Sequence, residues 1–119
     1  MTLKRDYNEA APYFLKTYEL GKKINFEAAM HVAMNNLTLI YIENGELEKA
    51  INICYDALEF NPKSAYTLHN LGNIYLKQKN YKQAIKCFEE ALMYCGGYAE
   101  FEQALLAVLA DTYLENNDP

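Results

Sequence analysis

Residues 31–64 recur in the chain as residues 65–98, and this internal repeat constrains the fold more than any other feature of the sequence. When the two segments are aligned without a gap, identical residues fall at eight positions. The identical pairs are Asn36/Asn70, Leu37/Leu71, Ile40/Ile74, Tyr41/Tyr75, Ala50/Ala84, Ile51/Ile85, Ala57/Ala91 and Leu58/Leu92. Self-similarity at such a period is typical of repeat architectures, in which each unit packs mainly against its neighbours.

Within each repeat, apolar residues recur at helical spacing, and no segment keeps the alternation expected of a strand. Asn44-Gly45 suits a left-handed helix end, Asn61-Pro62 stops a helix, and Asn80 can cap one. We therefore predict helices near 7–20, 26–44, 47–60, 64–79, 81–95 and 100–116, with a linker over 21–25. Pro12 requires either that the first helix starts near Asn8 or that it kinks.

The residues at fixed offsets resemble the tetratricopeptide repeat (TPR) family. Those that carry the resemblance are Leu71, Gly72, Tyr75, Tyr81, Ala84, Phe88 and Ala91, with their counterparts in the preceding repeat. The resemblance implies an all-α fold of antiparallel helix-turn-helix repeats, stacked as a short right-handed superhelix, in which Gly72 faces Ala84. The first repeat departs from the pattern at Thr38, where a small residue is usual, and at Cys54, where an aromatic is usual. Thr38 implies wider packing in that hairpin.

We expect residues 1–119 to form a single TPR-like domain with incomplete ends. Residues 7–25 are interpreted as a partial repeat and linker. Residues 99–119 are interpreted as a partial repeat or capping helix, because Leu109-Ala110 copies Leu71-Gly72 at a spacing slightly longer than the repeat. The end helices are either caps or parts of a longer array. We expect Leu105, Leu109 and Tyr113 to shield the apolar surface of the second repeat.

In the TPR family the first helix of each repeat lines a concave groove that binds an extended peptide or a partner helix. The residues carried over to that groove are Val32, Asn35, Asn36, Leu39, Ile42, Tyr66, His69, Asn70, Asn73 and Leu76. An asparagine amide both donates and accepts hydrogen bonds, so Asn36 and Asn70 suit a ladder along a peptide backbone. Bonding to water or to their own hairpin is the alternative. For His69 we expect an ordinary exposed polar role, with pH sensing or anion contact as the alternative.

Several functions are excluded or disfavoured. The groove positions lack the lysines and arginines that would clamp an acidic peptide tail. No paired catalytic carboxylates, phosphate-binding loop or metal cluster is visible, so we expect neither enzymatic activity nor a cofactor. A net charge of −5 disfavours nucleic acid. Without an apolar run of membrane-spanning length or a signal segment, we expect no membrane insertion.

Cysteine and charge patterns complete the sequence argument. Cys54, Cys87 and Cys95 are odd in number and lack a CxxC pair, so they indicate neither a disulfide framework nor a zinc site, in keeping with a reducing, cytoplasmic compartment. Cys54 and Cys87 fall on the second helix of a repeat, and we expect both to pack in the core. Residues 99–119 carry five acidic side chains and no basic one, whereas charges balance over residues 1–98. The predicted function is a protein-interaction scaffold within a larger protein or complex. The alternatives are self-assembly through the end helices, giving a homo-oligomer, and a peptide-sensing regulatory module of a longer chain.

Overall fold

The structure is a computed structural model that describes the backbone of residues 3–117 and the side chains of residues 8–117. Tyr7, the first residue of the predicted partial repeat, and Asp118, one of the five acidic residues of 99–119, therefore lie outside the described side chains. Within residues 3–117 every regular element is helical, which confirms the all-α class. The helices are α1 Leu3–Lys23, α2 Glu27–Glu43, α3 Leu47–Phe60, α4 Ala65–Lys77, α5 Tyr81–Tyr94 and α6 Ala99–Asn116.

The chain divides between Phe60 and Asn61 into two compact units. Unit 1 contains α1, α2 and α3, and unit 2 contains α4, α5 and α6. The helix bounds agree with the predicted ones to within a few residues everywhere except at α1.

The turns inside the two hairpins form by the predicted signals. Gly45, after α2, adopts a left-handed backbone with φ of 76°, which glycine reaches without steric cost. Lys79, at the equivalent place after α4, adopts nearly the same angle, φ 61°, although it carries a side chain. The Asn80 side chain accepts a hydrogen bond from the Gln83 amide and so caps α5.

The predicted linker over residues 21–25 is wrong, because α1 continues as a helix to Lys23. A left-handed Asn25, with φ of 64°, then ends it abruptly, and the Phe26 amide donates back to the Gly21 carbonyl at 2.7 Å. The start near Asn8 is also wrong, since α1 begins before it and includes Pro12. Both Asn8 and Pro12 are exposed, so water can bind the carbonyl that proline leaves without a helical donor.

Unit 1 combines a hydrophobic core with one polar tie. The core cluster consists of Tyr18, Met30, Ala33, Met34, Leu37, Ile53 and Ala57. The hydroxyl of the buried Tyr18 in α1 donates to Asp56 Oδ2 in α3 at 2.6 Å, and Lys22 Nζ lies 2.8 Å from the same oxygen. The tie joins the outer two helices of the unit, and it satisfies a hydroxyl whose burial without a partner would be costly.

In unit 2, α4 and α5 pack closely where Gly72 meets the ring of Phe88. A Cβ placed on Gly72 in α4 would lie 2.6 Å from the Phe88 ring in α5. The three atoms nearest to such a Cβ all belong to the Phe88 ring. Glycine is needed here because any side chain would push the ring, and the helix that carries it, away.

The last helix and the cysteines also occupy the core. Leu105 and Leu109 of α6 are buried, as predicted, whereas Tyr113 is 40% exposed and its hydroxyl donates to Glu89 in α5. All three cysteines are buried free thiols, which confirms the predicted core packing of Cys54 and Cys87. Burial raises the pKa of the Cys87 thiol to about 11, so this thiol is a poor nucleophile at neutral pH.

Candidate functional site

On α2, five of the predicted groove residues share one exposed face. Val32 is 60% exposed and Leu39 is 56% exposed, while Asn35 is exposed and both Asn36 and Ile42 are half-buried. The opposite face carries the buried core residues of this helix. Since α2 is apolar on both faces, the exposed apolar side chains are not required by the core of unit 1.

On α4, the other five predicted residues form the equivalent face of unit 2. Tyr66 is 53% exposed, and His69, Asn70, Asn73 and Leu76 are half-buried. The Ser64 side chain caps α4 by accepting a hydrogen bond from the Thr67 amide, so the helix begins at Ala65. All ten predicted residues are therefore reachable by a partner, five from each helix.

The asparagine amides are partly committed to their own helices. Asn36 Nδ2 donates to the Val32 carbonyl at 2.9 Å, and Asn73 Nδ2 lies 3.4 Å from His69 Nε2. The predicted ladder requires free amide groups, so Asn36 brings one remaining N–H and its carbonyl oxygen to a ligand. These bonds match the alternative in which the amides bond to their own hairpin, although a partly engaged amide still keeps pairing capacity.

His69 does not have the exposed polar role that the sequence suggested. Its ring lies edge-on to Phe101 with centroids 5.6 Å apart, and it is tilted against Phe88 at 6.1 Å. Burial lowers the pKa of His69 below its usual value of 6.5, because the charged imidazolium is disfavoured among these rings. At neutral pH the imidazole is therefore uncharged, and its Nε2 can accept a hydrogen bond from Asn73.

Phe101 is the residue of this face that the sequence argument missed. It lies in the first turn of α6, and its ring stacks on Tyr66 with centroids 4.8 Å apart and an interplanar angle of 15°. Tyr66, His69 and Phe101 thus form an aromatic cluster at the N-terminal end of α4. Phe101 precedes the part of α6 that copies α4, so the repeat does not indicate a role for it. The sequence signal that remains is an aromatic residue between two acidic ones.

The hydrogen-bonded group of Tyr18, Lys22 and Asp56 in unit 1 has the features of a stabilising contact between helices and not those of a catalytic site. An open cleft of about 250 Å³ runs beside it, lined among others by Tyr41, Lys49 and Asn52. Partial burial opposes the charge on Asp56, but the hydrogen bonds from Lys22 and Tyr18 outweigh it and lower the pKa of this carboxyl. Burial, reinforced by the bond to Asp56, raises the pKa of Tyr18. A carboxylate held ionised and a phenol held protonated favour an interhelix tie over acid–base catalysis.

Among the residues that the structure describes, no group of three or more histidine, cysteine, aspartate or glutamate side chains could hold a metal ion. No helix among the described residues has both the length and the apolar character needed to cross a membrane.

Comparison with known protein families identifies both repeats. Models described as tetratricopeptide repeat match residues 31–64 and residues 65–95. The first match includes the α2–α3 hairpin of unit 1, and the second includes the α4–α5 hairpin of unit 2. The two matches start at the same residues as the repeats found by aligning the chain with itself.

Individual relatives cover more of the chain. It is 32% identical over 115 residues to "Photosystem I assembly protein Ycf3" of Prochlorococcus marinus (strain NATL2A), which covers 84% of this chain and 65% of that protein. A second Ycf3, from another strain of the same species, is 34% identical over 116 residues with the same coverage. "Protein STIP1 homolog" of Dictyostelium discoideum is 32% identical over 99 residues, which is 76% of this chain but 16% of that protein. The chain thus spans about 65% of the length of the assembly proteins.

Proposed function

Because the chain belongs to the tetratricopeptide repeat family, a family of protein-interaction scaffolds, we propose that the exposed faces of α2 and α4 bind a peptide or a partner helix. The observation that carries the proposal is the exposure of large apolar side chains on these faces. Val32, Leu39 and Tyr66 each leave more than half of their surface in water. A protein core gains nothing from such exposure, whereas a binding surface gains apolar area to bury.

The two faces favour a ligand with an apolar anchor and an accessible backbone. Tyr66 is held by its stack on Phe101, so it offers a preordered aromatic surface at little entropic cost. Asn70 and Asn73 place amide groups within the same face, suited to the N–H and C=O groups of a peptide. None of the ten residues is lysine or arginine, and His69 is held neutral, which argues against an acidic peptide tail as the ligand.

Two of the relatives are named for photosystem I assembly, which supports a role for this chain in bringing together the subunits of a larger complex. The family is non-catalytic in general, and the proposal assigns no reaction to the chain. Three cysteines without a pairing motif support a reducing, cytoplasmic compartment.

The proposal is tested by capturing partners from a cell extract with the immobilised chain and then titrating the captured partner against variants. Leu39→Glu places a charge on the α2 face, and because Leu39 is exposed it leaves the melting temperature nearly unchanged. We expect it to weaken binding roughly tenfold or more, the equivalent of losing one buried leucine contact. Asn70→Ala should weaken binding about 5- to 150-fold by leaving ligand groups unpaired.

Two matched controls separate these faces from the rest of the surface. Met93→Glu adds the same charge at an apolar α5 position that is 71% exposed, and Lys82→Ala removes a charge from the exposed side of α5. Both should leave the affinity within about twofold. If Met93→Glu or Lys82→Ala abolishes binding while Leu39→Glu and Asn70→Ala are silent, the binding surface lies on the second helices and the proposal is wrong.

A further inference from the structure

Helix α6 presents an apolar face to water beside the face that carries its buried residues. Leu106 is 50% exposed, Tyr113 is 40% exposed and Leu114 is 72% exposed, and Ala110 between them is exposed as well. These four residues lie at the spacing of one helical face, and we call them the α6 outer face. They lie outside the ten residues of the proposed binding faces, so a role for the α6 outer face does not depend on that proposal.

Equivalent positions of α4 and α6 in unit 2 differ in burial at the α6 outer face. When Leu71-Gly72 is aligned with Leu109-Ala110, Leu71 and Ile74 correspond to Leu109 and Thr112, and all four are buried. Leu68 and Gly72 correspond to Leu106 and Ala110, and here burial differs: the α4 pair is buried and the α6 pair is exposed.

The reason for this difference is visible at Gly72, because the Phe88 ring of α5 covers it. In unit 1 the corresponding Met34 and Thr38 are buried too. Leu106 and Ala110 therefore correspond to positions that are buried in both complete hairpins, and at Gly72 the covering side chain belongs to the second helix.

The two complete hairpins also indicate which side chain fits against Ala110. Gly72, the smallest residue, lies against the large Phe88, and the equivalent positions of unit 1 hold the larger Thr38 and the small Cys54. Packing at interior density requires such compensation, since the two residues share one space. Alanine lies between glycine and threonine in size, so the residue against Ala110 should be an aliphatic of intermediate size, such as leucine or isoleucine.

Charge restricts the occupant further. Glu102 lies one turn before Leu106, and Asp111 follows Ala110 at the other border of the face. Both are exposed, and neither forms an ion pair with any side chain between residues 8 and 117. The described part of α6 contains no basic residue, so a helix with lysine or arginine beside its apolar stripe is electrostatically matched.

We propose that the α6 outer face binds an amphipathic helix of a partner protein, which places an aliphatic side chain against Ala110 and basic side chains opposite Glu102 and Asp111. The bound helix takes the part that α5 takes against α4 and completes a third hairpin. Binding of this kind buries Leu106 and Tyr113, which are otherwise left in water.

The test uses two dye-labelled peptides with the sequence of residues 81–95, in which serine replaces both cysteines. One peptide keeps the phenylalanine of position 88 and the other carries leucine there. Fluorescence anisotropy against the full chain should show that the leucine peptide binds at least about fivefold more tightly. In the Ala110→Gly variant the order should reverse, because glycine again makes room for the ring.

Three variants locate the site. Ala110→Glu and Leu106→Glu should each weaken the leucine peptide at least tenfold, whereas Ala104→Glu, an exposed position on another side of the same helix, should stay within twofold. Circular dichroism melts show that each variant remains folded.

Three outcomes overturn the proposal. The first is the absence of saturable binding of both peptides up to about 1 mM, and the second is binding that Ala110→Glu leaves unchanged. The third is self-association of the wild type, by sedimentation, that Ala110→Glu abolishes. That result would make the occupant a second copy of this chain.

Discussion

The α2–α3 hairpin of unit 1 and the α4–α5 hairpin of unit 2 derive from the same repeat but close by different contacts. Unit 2 sets Phe88 directly against the backbone of Gly72. Unit 1 has Thr38 and Cys54 at these positions and adds the hydrogen-bonded tie from Tyr18 and Lys22 to Asp56. The larger residue of the pair thus stands on the second helix in unit 2, at Phe88, and on the first helix in unit 1, at Thr38, as expected where two positions share one space.

The largest effect is expected from moving the residue pair of unit 1 into unit 2. Gly72→Thr should destabilise unit 2 by about 3 kcal/mol because its Cβ falls on the Phe88 ring. Phe88→Cys should cost about 3 to 4 kcal/mol through the cavity it leaves. The double variant should cost at least about 1 kcal/mol less than the sum of the single changes. Urea unfolding of the four proteins measures this coupling, and strict additivity would show that the two positions do not share one space.

The next effect concerns the hydrogen bonds from Tyr18 and Lys22 to Asp56 in unit 1. Asp56→Ala removes the acceptor of the buried Tyr18 hydroxyl and should cost about 2 kcal/mol. Lys22→Ala should cost about 0.5 kcal/mol or less, because both partners of that ion pair are roughly one-third exposed. Thermal melts of both variants test the ranking. A larger loss for Lys22→Ala would mean that the charge pair, and not the buried phenol, holds α1 to α3.

The two units should also differ in their response to acid. His69 in unit 2 has a lowered pKa, so its contribution to stability is present above pH 6.5 and is lost as the pH falls below that value. Asp56 in unit 1 also has a lowered pKa, so its contribution is present above pH 3.8 and is lost on further acidification. Urea unfolding at a series of pH values should show that His69→Gln flattens the higher step and Asp56→Asn the lower one. Unchanged profiles in these variants would assign the acid sensitivity to other groups.

The smallest effect is expected at the turns, where Gly45 and Lys79 adopt the same left-handed backbone. Lys79→Gly should stabilise the chain by about 0.5 to 1 kcal/mol, and Gly45→Lys should destabilise it by a similar amount. Space is not the cause, because a Cβ on Gly45 would meet no atom within 4 Å. Equal melting temperatures for the wild type and both variants would show that a side chain at these left-handed positions does not lower stability.

The sequence predicted the hairpins well because their signals are local. Gly45, Pro62 and Asn80 each act on the backbone within a few residues, and the period of the internal repeat places the helices between them. The predicted linker over 21–25 is wrong because the helix ends at a left-handed Asn25 and not at Gly21. Asparagine is a weaker signal for a left-handed helix end than glycine, so the sequence did not single out Asn25.

The candidate site was predicted less completely, because its details depend on contacts between residues far apart in sequence. The exposure of Leu39 and Tyr66 agrees with the groove positions that the resemblance to the TPR family assigned to them. The neutral, enclosed state of His69 did not, since it requires Phe101, from the helix after next, to lie against the ring. Nor does any sequence signal reveal that the Asn36 amide donates to the Val32 carbonyl of its own helix.

The central claim, that the first-helix faces bind the partner, is tested most directly by amide NMR shifts of the labelled chain on adding a captured partner. If these faces bind the partner, the shifts concentrate on α2 and α4 around Leu39, Tyr66 and Asn70. Leu39→Glu then removes the shifts while the chain stays folded. Shifts confined to α3 and α5, with the spectra of α2 and α4 unchanged at saturation, would contradict it.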